Sequence, residues 1–113
     1  MEISKRTIDG VVVLDLSGKI MGGPDASAFN DELHQLVEAG EKKIVADLSR
    51  VNWMNSSGLG ILISALTTMR NAGGEMKIAA VTDSIKRLMT ITKLVNVFDM
   101  YDTVDQAAAS FNE

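Results

Sequence analysis

Two adjacent serines lie where an apolar segment is about to become a helix. They belong to the run Asn55-Ser56-Ser57-Gly58-Leu59-Gly60, and helical spacing of apolar residues begins at Leu59. Each glycine inside a helix costs up to about 1 kcal/mol relative to alanine, so these residues weaken the first turn. In return, bare amides at the positive end of the helix dipole favour an anion there.

The serine hydroxyls allow two interpretations. In the first, Ser56 or Asn55 is an N-cap, whose side chain accepts a hydrogen bond from an amide two or three residues further on. In the second, a serine is a phosphoacceptor, because a phosphate adds nearly two negative charges and three acceptor oxygens beside the helix amides. Capping is the commoner role of serine at this position, and the pattern by itself leaves both open.

The helix after the serines has an uncharged polar stripe opposite its apolar face. The stripe consists of Gly60, Ser64, Thr67, Thr68 and Asn71. Solvated helix faces favour Lys and Glu, whereas a partner covers small uncharged side chains at little desolvation cost. The stripe is therefore either a docking surface continuous with the serines or a plain exposed face.

Other groups capable of chemistry lack companions. His34 is the only histidine in a chain without cysteine, so neither a metal site nor a catalytic triad is indicated. Asp15 and Asp47 lie within apolar strands, and we expect one or both to bond to turn amides. There is no Gly-Lys-Ser/Thr or complete dinucleotide motif. The sequence predicts no catalytic residue, no metal and no cofactor.

Two large apolar residues near the serines have different expected environments. Trp53 is able to anchor an interface, but its place in an apolar segment favours packing. Met21 lies in the loop before Pro24, where exposure is expected. Most of the other methionines are expected in the core.

Predicted strands and helices alternate along the chain. Asp9-Gly10 is a hairpin signal between strands at 2–8 and 11–16, and the second strand is apolar enough to be covered on both faces. Further strands are predicted at 44–48, 76–81 and 97–100, and helices from Pro24 to Gly40, at 59–69, at 84–93 with Leu94 facing inward, and from Thr103.

This alternation predicts the fold class. We expect a single α/β domain over residues 1–113, with a mixed sheet of four to five strands and about four helices. The opening strand should be antiparallel and the others mostly parallel. The pattern does not determine the strand order beyond the hairpin.

Composition excludes several functional classes. A chain of 113 residues with 46% hydrophobic residues and one proline fits one core without disulfides. The net charge is −4 and the basic residues are scattered, so no nucleic-acid partner is expected. No signal-peptide pattern and no run of roughly 20 apolar residues is present, which predicts a cytoplasmic protein without direct membrane insertion.

Three segments of the chain together resemble the signature of STAS domains, in particular the bacterial anti-sigma factor antagonists. They are Asp47-Leu48-Ser49, residues 51–54 and Ser56-Ser57-Gly58-Leu59-Gly60, and the resemblance extends to residues 22–25 and, by element order, to essentially the whole chain. It implies a non-enzymatic regulator that acts by partner switching. In that scheme an anti-sigma factor, which is also a serine kinase of the histidine-kinase-like ATPase type, binds the unmodified antagonist and releases its sigma factor. Phosphorylation breaks this complex, and a serine phosphatase resets it.

The resemblance places the phosphoacceptor on Ser56, with Ser57 as the alternative. Together with the polar stripe it gives a partner-binding surface of Asp25, Asn55, Ser56, Ser57, Gly58, Leu59, Gly60, Ser64 and Thr67. The family usually has Asp where this chain has Asn55, which can cap a helix but supplies no carboxylate to orient a hydroxyl or a metal. The alternative function is a STAS scaffold, or a regulatory subunit of a transport or signalling assembly, without a working phosphosite.

Overall fold

The order of strands in the sheet follows their order in the chain. The structure, a computed structural model, describes residues 1–93 and 96–112, so the predicted inward position of Leu94 lies outside the described residues. The elements within the described residues are β1 (Glu2–Ile8), β2 (Val11–Ile20), α1 (Pro24–Glu38), β3 (Lys43–Met54), α2 (Ser56–Asn71), β4 (Glu75–Ala79), α3 (Asp83–Ile91), β5 (Met100–Tyr101) and α4 (Val104–Ser110).

These strands form a five-stranded mixed sheet in the order β1-β2-β3-β4-β5. β1 is antiparallel to β2, and the intervening Asp9 and Gly10 have φ of 50° and 81°, the positive values that tight hairpin turns require. Each remaining neighbour pair is parallel, as helical crossovers demand. The predicted fold class, an antiparallel opening strand followed by a parallel sheet with helices, is confirmed.

The sheet separates a large core from a small one. Helices α1, α2 and α3 pack over one face, where alternate β2 residues from Val12 to Leu16 point. The short helix α4 covers the other face at Val11, Val13 and Val45. The prediction that the start of β2 is buried on both sides is therefore confirmed. Because α4 is only seven residues long, the residues that the structure describes leave this second face open towards the carboxyl ends of β2 and β3.

Strand β3 is longer than the apolar run predicted. The prediction ended at residue 48, whereas the strand continues to Met54. Its outer part pairs with β2 across two register shifts, one between Asp15 and Ser17 and one between Gly18 and Lys19. These shifts break the regular alternation of apolar and polar residues on which the prediction depended. The strand thus reaches the serine motif directly.

Two other elements have different bounds from those predicted: α2 begins earlier and the last strand begins later. Helix α2 starts at Ser56 rather than at residue 59, so both serines lie in its first turn. The last strand is Met100–Tyr101 rather than 97–100. The glycines at the start of α2 lower the helix propensity of a turn that tertiary packing nevertheless makes helical.

Candidate functional site

The first turn of α2 begins one residue after the end of β3. Asn55 is its N-cap: the side-chain Oδ1 accepts a hydrogen bond from the N–H of Gly58 at 2.7 Å. The first bond within the helix runs from the N–H of Leu59 to the carbonyl of Asn55, at 3.0 Å. The N–H groups of Ser56 and Ser57 therefore have no acceptor within the helix. Since Asn55 does the capping, both exposed serine hydroxyls are available for another role.

Gly58 fixes this turn against the sheet. A Cβ at this position would lie 2.1 Å from the carbonyl oxygen of Ile20 and 3.0 Å from the side chain of Met54. No side chain fits, so the helix packs directly on the end of β2. Leu59 is also buried, with 2% of its surface exposed. Both residues position the turn, and neither offers a side chain to a partner.

Gly60 lies on the opposite, open side of the same turn. A Cβ there would meet no atom within 4 Å. Beside it, a groove of about 410 Å³ runs between α1 and α2, with Ser57, Gly60 and Ser64 on the α2 side and Asn30 on the α1 side. The fold does not require glycine at this position, and the missing side chain keeps the groove open.

The loop between β2 and α1 is hydrogen-bonded to the serine turn. The backbone N–H of Asn55 donates to the carbonyl of Ile20 at 3.4 Å, and its side-chain Nδ2 donates to the carbonyl of Met21 at 3.5 Å. The N–H of Met21 in turn donates to Asp25 Oδ2 at 3.1 Å. The structure thus joins Asp25 to the serine turn through this loop.

Two consecutive glycines let the same loop pass close to α2. Gly22 and Gly23 have φ of 86° and 61°, values that other residues rarely adopt. A Cβ on Gly22 would also come within 3.0 Å of the Cβ of Ser57. Ser57 therefore lies against the loop, on the groove side of the turn.

The polar stripe continues along the exposed side of α2. Ser64 and Thr67 are exposed, and the Thr67 hydroxyl donates to the carbonyl of Ile63 at 3.1 Å. The first charged residue along the helix is Arg70, which forms an ion pair with Glu75 at 3.1 Å. This side of α2 is thus uncharged from the serines up to Arg70, with Ser64 and Thr67 exposed and Gly60 and Thr68 partly exposed.

Trp53 is not packed in the core, so the prediction that it packs was wrong. Its side chain is 45% exposed. It pairs with Lys19 next to the buried pair of Ile20 and Met54, and because side chains alternate between faces, Trp53 points to the face opposite α1 and α2. The prediction that Met21 is exposed is confirmed, at 49%.

A charged cluster lies on the same sheet face as Trp53, nearer to α4. Asp47 accepts the N–H of Ser49 at 2.9 Å, within β3 rather than in a turn as predicted, and Asp15 is held by Arg6 Nε at 2.9 Å. Arg6 also approaches Asp47 at 3.7 Å. Burial opposes ionisation of Asp47, but the Ser49 amide and the charge of Arg6 outweigh it and hold its pKa below the usual range. The cluster is therefore an ion-pair network in which one guanidinium holds two carboxylates.

The part of the chain that the structure describes contains neither a cluster of metal ligands nor a membrane-spanning helix. Among residues 1–93 and 96–112, no three His, Cys, Asp or Glu side chains converge as a metal site requires. No helix in those ranges is long and apolar enough to cross a membrane. His34 is exposed on α1.

A mixed sheet of this order, with a glycine-pinned serine turn after its third strand, defines a known class of domain. The family model described as the STAS domain matches residues 2–107. The chain belongs to the STAS domain family.

Several relatives and solved structures that the chain resembles are named anti-sigma factor antagonists. The anti-sigma F factor antagonist of Paenibacillus polymyxa is 29% identical over 106 residues, which are 90% of this chain and 87% of the relative. An anti-sigma factor antagonist from Mycobacterium paratuberculosis superposes with a TM-score of 0.84 at 27% identity, over 99% of this chain and 94% of that one. The phosphorylated form of SpoIIAA from Bacillus has the same fold, with a TM-score of 0.74 at 15% identity over 97% and 99% of the two chains. The chain is thus similar over most of its length to proteins named anti-sigma factor antagonists.

Proposed function

We propose that this chain is an anti-sigma factor antagonist controlled by phosphorylation of Ser56. Unmodified, it binds an anti-sigma factor that is also a serine kinase of the histidine-kinase-like ATPase type, and the bound sigma factor is released. Phosphorylation ends this binding, and a serine phosphatase restores it. The observation that supports the proposal most is the exposed Ser56 hydroxyl at the free amino end of a helix that Gly58 fixes to the sheet.

The free protein suits a phosphate at Ser56. The kinase would transfer the γ-phosphoryl group of ATP to Ser56 Oγ, breaking its bond to the β–γ bridging oxygen and releasing ADP and the hydroxyl proton. The new group lies next to the N–H groups of Ser56 and Ser57 that have no acceptor within the helix. The helix dipole favours a negative charge there by roughly 0.3–1 kcal/mol. No acidic residue in the first turn of α2 opposes it. Modification therefore costs the fold little.

The complex, by contrast, does not suit the phosphate. The surface around Ser56 is small and uncharged, so a partner covers it at low desolvation cost only while the serine is unmodified. A phosphate carries up to two negative charges, so the partner must either desolvate the charged group or dissociate from the chain. Each 1.4 kcal/mol of this difference weakens binding about tenfold. A differential affinity of this kind is all that switching requires.

Geometry favours Ser56 over Ser57 as the acceptor. Ser57 lies against Gly22 of the β2–α1 loop: a Cβ on Gly22 would meet atoms of Ser57 within 4 Å. Ser56 is not among these nearest atoms. A kinase active site must surround the acceptor oxygen, and the loop restricts that approach at Ser57. Ser57 stays the alternative acceptor that the experiments below distinguish.

Mass spectrometry of the protein from its own cells tests the site. Trypsin releases residues 51–70 as one peptide, because Arg50 and Arg70 bound it. We expect phosphate on Ser56, located by fragmentation between Ser56 and Ser57, with an occupancy that changes between growth and stress. An unmodified peptide under every condition would instead support the scaffold function without a phosphosite.

Binding measurements test the switch. The anti-sigma factor recovered with the tagged chain, produced recombinantly, is titrated with the wild type and two variants. Ser56→Asp should weaken binding at least about tenfold, and Ser56→Ala should bind like the unmodified chain even after incubation with ATP. Ser84→Asp is the matched control, because Ser84 is also exposed in the first turn of a helix, α3. Equal affinity of Ser56→Asp and wild type would contradict the switching mechanism.

A further inference from the structure

The open half of the second sheet face carries a large exposed apolar side chain. Helix α4 covers this face at Val11, Val13 and Val45, and the charged cluster follows. Beyond the cluster, Trp53 lies near the carboxyl end of β3 with 45% of its surface exposed. The described part of the chain does not cover it.

Met21 adds a second apolar wall next to Trp53. Together with Lys19 and Asn52 they line a shallow cleft of about 450 Å³. Met21 is 49% exposed. Tryptophan and methionine are enriched at the centres of interfaces, where a flat aromatic ring and a flexible thioether adapt to an apolar group. The cleft has the composition of a contact site.

The cleft is continuous with the serine turn through the backbone. The carbonyl of Met21 accepts from the Asn55 side chain, and Asn55 is the residue before Ser56. The groove between α1 and α2 lies on the other side of this turn, lined by Gly60 and Ser64. A partner seated over Ser56 therefore has an apolar cleft on one side and an uncharged groove on the other.

We propose that the cleft between Met21 and Trp53 is a second contact for the anti-sigma factor that covers Ser56. It takes an apolar side chain of that partner, and an acidic neighbour of that side chain faces Lys19 at the rim. Trp53 supplies affinity, while Ser56 supplies the switch. The inference rests on the proposed function, because the occupant is the partner of the serine site.

Trp53 is the only tryptophan of the chain, which makes the contact directly observable. The full chain is labelled with 5-fluorotryptophan, which gives a single fluorine resonance whatever the partner contains. Titration with the recombinant anti-sigma factor should shift this resonance and protect it from a soluble paramagnetic quencher. A resonance that stays unchanged and accessible at saturation would overturn the inference.

Substitutions measure how much the contact contributes. Trp53→Ala should weaken binding at least about tenfold, and Met21→Ala less. Ile91→Ala is the control: Ile91 is 73% exposed at the end of α3, away from the cleft, and its substitution should leave affinity unchanged. Because Trp53 is half exposed, Trp53→Ala should fold, which circular dichroism and its unfolding midpoint verify.

The outcomes separate this inference from the proposed function. If the wild type binds the anti-sigma factor and Ser56→Asp weakens it, but Trp53→Ala binds as tightly as wild type, only the cleft contact is overturned. If the wild type binds no anti-sigma factor at all, the proposed function fails and the cleft contact fails with it.

Discussion

The two sides of the first turn of α2 are under opposite constraints. On the inner side Gly58 touches the backbone of β2, and even one methyl group there would collide with the carbonyl of Ile20. On the outer side Gly60 borders open space and a groove. The two glycines are separated by one residue and have the same helix propensity. The fold requires Gly58, whereas no contact within the described residues requires glycine at position 60. The comparison shows that the role of a glycine at a helix start is determined by its tertiary contacts and not by its helix propensity.

Gly58→Ala gives the largest expected effect. Its Cβ has to displace backbone at 2.1 Å, which no side-chain rotation relieves, so we expect a loss of about 3 kcal/mol or more in the free energy of unfolding. Urea denaturation monitored by circular dichroism measures it. Gly60→Ala is the internal control, since it adds the same methyl group to the same turn. If both variants lose the same stability, the distinction between the two sides is incorrect.

Removing the cap gives the next effect in size. Asn55→Ala deletes the acceptor of the 2.7 Å hydrogen bond from Gly58 and should cost about 1 kcal/mol in unfolding free energy. Asn55→Asp keeps the acceptor and adds a negative charge at the helix dipole, worth about 0.3–1 kcal/mol, but it loses the Nδ2 hydrogen bond to the Met21 carbonyl, so it should be more stable than Asn55→Ala. Thermal and urea unfolding compare the three proteins.

The variant Asn55→Asp also tests the role of the outer side in phosphorylation. Asn55→Asp restores the carboxylate usual in the family, and we expect the anti-sigma factor kinase to phosphorylate Ser56 faster in this variant than in wild type. Phosphate incorporation from ATP, followed over time by mass spectrometry, is the measurement. A slower reaction of Asn55→Asp would show that this chain's kinase uses the amide of Asn55.

Gly60→Ala should separate stability from binding. Alanine is the better helix former, so the unfolding free energy should rise by roughly 0.5–1 kcal/mol. The same methyl group points into the groove, so affinity for the anti-sigma factor should fall. Urea denaturation and calorimetric titration of one protein preparation give both values. Unchanged affinity with raised stability would place the partner outside this groove.

The smallest expected effect lies away from the turn, at Asp47. Its pKa is lowered in the fold, so its contribution to stability is complete above the unfolded-state value near 3.9 and is lost as the pH falls towards the lower folded value. Because the group is partly solvated, Asp47→Asn should cost less than about 1 kcal/mol at pH 7, and the difference from wild type should shrink at pH 3. Urea denaturation at both values of pH measures it, and a difference that grows in acid would contradict this assignment.

Local signals in the sequence predicted the elements whose causes are local. The hairpin follows from Asp9-Gly10, and the burial of β2 follows from its run of apolar residues. The serine motif was found because its residues are contiguous in the chain. The kind of domain and its family were recognised on the same contiguous segments, and both are confirmed.

What sequence reasoning missed depends on contacts between distant residues. The exposure of Trp53 follows from a register shift between β2 and β3, in which β3 carries the extra residue, and no local pattern reveals it. The separate roles of Gly58 and Gly60 depend on Ile20, far away in the chain. The outer part of β3 lacks alternation, so its strand was not predicted. The apolar pattern near Trp53 pointed to packing because a pattern cannot show that α4 ends short of it.

The pinned turn also determines how the protein would keep a signal. Because Gly58 fixes the start of α2 against Ile20 of β2, we expect a phosphate on Ser56 to leave the backbone unchanged in the proposed mechanism. Uncatalysed hydrolysis of a phosphate monoester is among the slowest reactions that enzymes accelerate, so the mark persists until a phosphatase removes it. The chain would then have two stable states, phosphorylated and unphosphorylated, with the same backbone conformation. The lifetime of the phosphorylated state would be set by the phosphatase rather than by a folding or unfolding step.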